Sequence, residues 1–446
     1  MKFLDCCRKV IGLESTPSHG NREVSEFLGE VARDLGFHVE FQQENLNGLE
    51  QMNLLLRPSA TVPEDELLLQ THLDTVEPGN FAKWTKTQSN PFNATIYGDE
   101  LYGLGVADTK LDFVCKLFAA KGFLSKPLNR PFVLVGTFGA QSGMAGAVKL
   151  IRRKQINCKM ALVGEPTNLS LVHAGQGLAV VEISIPFSQE ELDYRKEHDL
   201  MESSSTQSKM FSGKAAHSSR PQLGENAIVK MLDYLTQLPS GLAIMDLDGG
   251  VNFNSVPDTA VLEIDLVAGF REPIVPKISA VLKRAKEVEA EFKAYSEDLQ
   301  EAPTMNIGMI RTFDDQIRVT GSCRMPYSVS EDKYKGWMKM LGEACLDVGG
   351  QFRIRDYKSA FHVKKSSTFL QGALDILTQM TGQEIGPQVI STASEASVFG
   401  RMGVECLVFG PGESYGNSHA PNEMVSLSQL DQAIAFYGKC IERFCL

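Results

Sequence analysis

Leu67-Leu-Leu-Gln-Thr-His72-Leu-Asp74-Thr-Val76 is the stretch whose reading decides the fold. The apolar run Leu67–Leu69 has the character of a buried strand, and the strand ends by delivering a His and an Asp two residues apart. Residues i and i+2 of a strand share a face, so His72 and Asp74 can aim at one point. A neutral imidazole and a carboxylate at that spacing suit a borderline-soft divalent cation such as zinc. In isolation the same pair also reads as a strand-end His followed by a loop Asp. The rest of the chain decides between the two.

Outward from this stretch, helix and strand alternate. Phe3, Cys7, Val10 and Ile11, then Val24, Phe27, Leu28, Val31 and Leu35, recur at helical spacing. Strands are expected at residues 38–41, 52–56, 67–71, 132–138 and 160–163. A helix is expected through Phe113, Leu117 and Phe118, and another over residues 144–153. The segment 78–97 reads as irregular. This alternation predicts an α/β fold with a mostly parallel sheet and helices on both faces. Ligands of such sheets lie beyond the carboxyl ends of the strands. His72, Asp108, Glu165 and the turn after Phe138 all fall at such ends, which points to one shared site. Asp108 also reads as an ordinary N-cap of the helix that follows it. Gly136, Gly139 and Gly143 do not have the spacing of a dinucleotide-binding loop.

Composition bounds the function. The chain has 446 residues, 43% hydrophobic and 22% charged, with a net charge of −11. A chain of this length exceeds one ordinary core. The acidic balance argues against a nucleic-acid partner. The nine cysteines are odd in number and scattered, with Cys6 and Cys7 adjacent and no CxxC pair, as expected for reduced thiols in the cytoplasm. No run has the length of a transmembrane helix, so no membrane partner is expected.

The middle of the chain changes character. Residues 172–185 read as β-structure, and 189–208 as a polar, charged, mobile excursion. Then comes Gly213-Lys-Ala-Ala-His217-Ser-Ser219, a helix to Leu238, and Asn254 ahead of a strand through Leu266. A charged helix over 277–292, strands at 304–310 and 316–323, and a helix over 332–346 complete an α+β insert. From Gln351 the α/β alternation resumes, with Glu395 and His419-Ala-Pro-Asn422-Glu423 near the end. The expected organisation is a first catalytic part, 1–175, a lid of dimerisation type, 176–348, and a second catalytic part, 349–446.

Taken together, these motifs resemble the co-catalytic zinc amidohydrolases that include acetylornithine deacetylase, succinyl-diaminopimelate desuccinylase, carboxypeptidase G and the aminoacyl-histidine dipeptidases. The resemblance covers nearly the whole chain in the right order. It implies two divalent ions, zinc first with cobalt or manganese as substitutes, held by His72, Glu165, His419 and a shared Asp108. It implies that Asp74 orients His72, that His217 stabilises an oxyanion, and that Asn254 and Arg324 hold substrate, with Arg324 gripping a carboxylate. The implied activity is hydrolysis of an amide bond next to a carboxylate, as in an N-acyl amino acid or short peptide.

Two departures stand out. The family's adjacent glutamates, a general base and then a metal ligand, are here Ala140 and Gln141. Alanine cannot take a proton, and glutamine is a neutral, poorer ligand. A lost general base forfeits about a hundred- to ten-thousand-fold in rate. The chain then reads as a deliberately inactivated form, as a pseudoenzyme that binds metal or peptide without cleaving, or as one in which Glu395 substitutes. The second departure is in the lid. Asn254 and Arg324 are far apart, and Val267 stands where deacetylase-type lids place a close Arg. This order is similar to dipeptidase-type lids, which implies a monomer, or a homodimer through the lid, in which His217 serves its own chain.

Overall fold

The computed structural model describes residues 1–446 except 47, 141–142, 199–206, 239–241, 267–273 and 297–301. The chain divides into two compact units, Met1–Gly175 with Phe361–Leu446, and Gln176–Ala360.

The first unit is built on a sheet whose strands run in the order His38–Leu46, Leu49–Arg57, Phe132–Thr137, Glu66–His72, Cys158–Gly164, Glu405–Phe409, Val172–Gly175 and Phe361–His362. Its four central strands are parallel, from Phe132–Thr137 to Glu405–Phe409. The flanking pairings to Leu49–Arg57, Val172–Gly175 and Phe361–His362 are antiparallel. The sheet is therefore mixed, with the parallel part at its heart, where both faces must be covered.

The opening Leu run shows how. Leu67 and Leu69 face a core with the helices Phe3–Gly12, Arg22–Leu35, Lys110–Ala120, Thr368–Thr381 and Leu427–Cys445. Leu68 points the other way, into a core with Ala145–Arg152 and Ala396–Gly400. All three are fully buried, each worth about 2 kcal/mol of apolar burial.

Beneath the carboxyl ends of the central strands lies a buried polar knot. Lys116 pairs with Asp112 at 2.8 Å. Its Nζ also donates to the Gln70 carbonyl at 2.6 Å and to Thr71 Oγ1 at 2.8 Å. Thr71 donates to Asp112 at 2.6 Å, and the Tyr437 hydroxyl lies against Asp112 and, at 2.9 Å, the Phe409 carbonyl. Gly164 leaves the room: a Cβ there would sit 2.0 Å from Asp112 Oδ2. The knot thus joins the strands that precede His72, Glu165 and the His419 loop.

The second unit is an antiparallel sheet in the order Gln207–Ser212, Thr259–Leu266, Leu242–Gly249, Thr304–Thr312, Gln316–Met325, Gly177–Pro186 and Gln351–Lys358. The helices Ala227–Leu235, Ile274–Tyr295 and Glu331–Asp347 pack on it through two apolar clusters.

Three expectations need correction. The second border of the lid falls after Ala360, not 348, because Gln351–Lys358 pairs with Gly177–Pro186 in the lid sheet. Leu242–Gly249 is a central lid strand where none was expected. The polar stretch from 189 opens with a helix, Gln189–Glu197, started by a Ser188/Glu191 capping box, and ends in the strand Gln207–Ser212. Residues 199–206 of that stretch, and Val267, lie outside the described residues.

Removing one member of a buried ion pair leaves the other uncompensated. Lys116→Met is therefore expected to lower unfolding free energy by about 3–5 kcal/mol in a urea titration. A loss below about 1 kcal/mol would contradict the role given to the knot.

Candidate metal centre

Two of the expected ligands sit where parallel strands end. His72 is the last residue of Glu66–His72, and Glu165 follows the neighbouring strand Cys158–Gly164. His419 lies in the loop after the next strand, Glu405–Phe409, with a left-handed φ of 62°. Asp108 comes from the loop before Lys110–Ala120. It is not that helix's cap: Thr109 holds the N-cap position, and Thr109 Oγ1 donates instead to the His72 carbonyl at 3.1 Å.

The carboxylate of Asp108 lies between two imidazoles. His72 Nε2 is 3.0 Å from Oδ1, and His419 Nε2 is 2.8 Å from Oδ2. Glu165 joins His72 and Asp108 in a group whose donor atoms lie within 4.8 Å of one another. His72 is buried, whereas the His419 side chain is half exposed.

The ring orientation tests whether a cation fits. His72 Nδ1 lies 2.9 Å from the Asp74 carbonyl oxygen, a hydrogen bond that places the neutral ring's proton on Nδ1. The lone pair on Nε2 then faces Asp108 Oδ1 at contact distance. Oδ1 is buried and makes no aligned hydrogen bond among the described residues. A lone pair confronting an anion calls for a positive charge between them, either a proton or a metal ion. The set of one nitrogen and two carboxylates suits zinc and its neighbours. The expectation for Asp74 is thereby refined. Its carbonyl fixes the tautomer, while its carboxylate sits 3.7 Å from Nδ1 and accepts from the Ala140 N–H at 3.1 Å.

The electrostatics agree with a site built for positive charge. Burial pushes the Glu165 carboxyl up to about 8, with Asp108 adding to the rise and His72 opposing it. Burial works against a charged His72, but the adjacent Asp108 more than reverses this and holds the imidazole well above its ordinary value. Asp108 itself is held low: burial opposes the charged form, and His419 and His72 outweigh it.

Sequence reasoning quoted Glu423 but gave it no role. Its buried carboxylate accepts from the backbone N–H groups of Gly105, Ala107 and Asp108 at 3.0, 2.8 and 2.9 Å. The strand Met424–Ser426 pairs with Glu100–Tyr102, so the loop bearing His419 and the loop bearing Asp108 are stitched together. Lys110, the last residue of the Asp-x-Lys motif, donates to the carbonyls of Val10 and Leu13 at 3.1 and 3.0 Å. It ties the Asp108 loop to the end of the first helix, where a cation is favoured. The signal for Glu423 was an acidic residue four positions after a ligand His.

Glu395 is not a member of the three-residue donor group. It is buried, and its Oε2 accepts from Thr137 Oγ1 at 2.7 Å and from the Gln70 amide. Burial pushes its carboxyl up to about 7, against the pull of His72. Gln141 lies outside the described residues.

Within the second unit, the expected lid residues converge. His217 pairs with Ser255, the Ser218 N–H donates to the Asn254 carbonyl at 2.8 Å, and Arg324 Nη2 reaches Asn254 Oδ1 at 3.4 Å. His217 Nδ1 accepts from the Ser219 N–H at 3.2 Å. A nitrogen that accepts carries no proton, so the neutral ring presents its proton on Nε2. Arg324 is 4% exposed, has no acidic partner among the described residues, and keeps a buried Nε without a hydrogen bond. Burial alone pulls its guanidinium down to about 10.

Comparison with known proteins decides the family. The profile of peptidase family M20/M25/M40 matches residues 68–443. The chain belongs to this family. An acetylornithine deacetylase of Yersinia pseudotuberculosis serotype O:1b (strain IP 31758) is 31% identical over 452 residues, covering 98% of this chain and 94% of its own length. The fold is similar to that of an aminoacylhistidine dipeptidase from Vibrio alginolyticus, with a TM-score of 0.65 at 14% identity over 99% of this chain and 96% of that one. It is also similar to a Bacillus subtilis protein described as a dinuclear metal-binding peptidase, with a TM-score of 0.54 at 9% identity over 98% and 96% of the two chains. No helix among the described residues is long and apolar enough to cross a membrane.

These charges set a pH dependence. A raised His72 stabilises the fold below about pH 6.5, and that contribution is lost as pH rises through its folded value. A raised Glu165 favours the protonated fold, so stability also falls as pH climbs from about 4.3, the unfolded value, toward about 8. Asp108, held low, contributes above about pH 4 and is lost only in acid. The melting temperature of the metal-free protein is therefore expected to fall between about pH 5 and about pH 8. Added zinc should raise it more at the upper end, because a bound ion displaces the protons. A metal-free melting temperature that rises across this window would contradict the assignment.

Proposed function

We propose that the protein is a metal-dependent hydrolase scaffold for an amide bond next to a carboxylate, of the N-acyl amino acid deacylase or dipeptidase type, with its proton-transfer step impaired. The observation that carries this reading is Asp108 buried between His72 and His419 with Glu165 beside it. Divalent ions held by His72, Asp108, Glu165 and His419 would supply Lewis-acid polarisation of the carbonyl and a more acidic bound water.

The chain's own groups account for the rest. Arg324 is a buried guanidinium without an acidic partner among the described residues, which is costly unless an anion arrives. A substrate carboxylate would complete it through paired N–H donors, with Asn254 alongside. The Nε2–H of His217 would donate to the oxyanion of the tetrahedral intermediate. Ala140, in the turn after the strand Phe132–Thr137 that pairs with the His72 strand, has nothing with which to take a proton from water. The hydrogen bonds of Glu395 to Thr137 and Gln70 favour a positioning role under the site over that of a substitute base.

The same features favour a second reading, a pseudoenzyme that binds metal and peptide without cleaving. Rates separate the two. The double variant Ala140→Glu/Gln141→Glu is expected to hydrolyse members of a panel of N-acyl amino acids and dipeptides about 100-fold or more faster than the natural chain. Arg324→Met in that background should raise KM about tenfold or more, with a smaller change in kcat. A double variant that folds, binds metal and cleaves nothing in the panel would overturn the substrate class. A natural chain as fast as the variant would overturn the impairment.

A further inference from the structure

Four polar side chains stand side by side on one face of the lid sheet. Thr304 and Asn306 of the strand Thr304–Thr312 lie directly opposite Arg324 and Ser322 of Gln316–Met325. The alternate residues Met305, Cys323 and Met325 pack into the apolar cluster on the helix side, so these four point away from it. The loop that carries Asn254 crosses the same face. Asn306 Nδ2 donates to the carbonyls of Phe253 and Ser255 at 3.4 and 2.9 Å, and Ser322 Oγ donates to the Phe253 carbonyl at 3.0 Å. Gly308 allows the loop this close, since a Cβ there would lie 2.5 Å from Phe253 Cα. Asn306 and Ser322 are thus satisfied by backbone oxygens. The other opposed pair is not. Thr304 Oγ1 and Arg324 Nε are both buried, and neither has a hydrogen-bond partner among the described residues. They do not bond each other either, although the Cβ atoms of directly opposite residues lie only about 5 Å apart.

We infer that Thr304 is a further substrate-binding residue of the lid, donating its hydroxyl hydrogen to the carboxylate that Arg324 receives. The inference rests on the proposed reading of Arg324 and extends it by one residue. Two unfilled donors side by side, a guanidinium N–H and a hydroxyl, call for a ligand rich in acceptors. A carboxylate is such a ligand, because each of its oxygens can accept more than once. The guanidinium takes the carboxylate, and Thr304 O–H joins at one of its oxygens. A hydrogen bond to a charged group is stronger than one between neutral groups, and a buried donor left unmade destabilises the ligand-free protein. One hydroxyl therefore has two opposite effects: it weakens the empty lid and strengthens the occupied one. A threonine with a merely structural role would do the reverse, supporting the fold without touching carboxylate affinity.

Calorimetric titration of the natural chain with N-acetylglycine, and with N-acetylglycinamide as the probe that lacks the charge, tests this alongside thermal melting of the ligand-free protein. The acid should bind about tenfold or more tighter than the amide. Thr304→Val keeps the shape and removes the hydroxyl. It should weaken the acid about tenfold or more, weaken the amide less, and leave the melting temperature equal or higher. Thr304→Ser, which restores a hydroxyl, should bind the acid as the natural chain does. Unchanged affinity for the acid or a lowered melting temperature in Thr304→Val would overturn the role given to Thr304 and leave that of Arg324 standing. So would a Thr304→Ser chain as weak as Thr304→Val. An Arg324→Met chain that binds the acid as tightly as the natural chain would overturn the reading of Arg324 itself, and that of Thr304 with it. Equal affinity of the natural chain for the two probes, or none for the acid, would have the same consequence.

Discussion

A buried anion shared by two imidazoles is the constraint on which the first unit depends. Asp108 is 10% exposed and faces nitrogen on both sides. Burying a carboxylate is costly unless positive charge or N–H donors meet it. The surroundings therefore hold its loop in one place. Glu423 gathers the N–H groups of Gly105, Ala107 and Asp108, Lys110 anchors the far end on the first helix, and Thr109 ties the loop to the His72 carbonyl. The knot around Lys116 and Asp112 does the same for the strands one layer below. Site geometry and fold stability are thus carried by the same polar contacts.

The second unit poses a complementary problem. Its buried Arg324 has excess positive charge where the first unit has excess negative charge. Each is an incomplete electrostatic arrangement. A divalent ion would complete one, and a ligand carboxylate would complete the other. Positions 140 and 141 are alanine and glutamine, so neither brings a carboxylate.

Much of this was legible in the sequence, for physical reasons that differ by element. The central strands were legible because parallel strands covered on both faces must be apolar throughout, as Leu67–Leu69 are. His72 and Glu165 were legible as candidates because open α/β sheets place sites at strand ends, whereas Asp108 lies in the loop before Lys110–Ala120, after a strand of a separate antiparallel sheet. Leu242–Gly249 escaped notice because its bulge between Ile244 and Asp246 breaks the alternation that marks a strand. The lid border was misplaced because Gln351–Lys358 follows a helix, which reads as resumed α/β alternation, while its partner strand lies far back in the chain. The helix Gln189–Glu197 has no apolar stripe, although its capping box was there to be read. The role of the Asp74 carbonyl was invisible, since backbone groups leave no trace in residue type. Glu423 was visible as a letter but not as a clamp, because its partners are N–H groups more than 300 positions earlier.

The most direct measurement is a crystal structure of the natural chain grown with zinc, with anomalous differences recorded on both sides of the zinc edge. A dominant peak is expected about 2 Å from His72 Nε2 and from carboxylate oxygens of Asp108 and Glu165. A map whose strongest zinc peak lies away from these three residues would contradict the account of Asp108 as the shared anion of a metal centre.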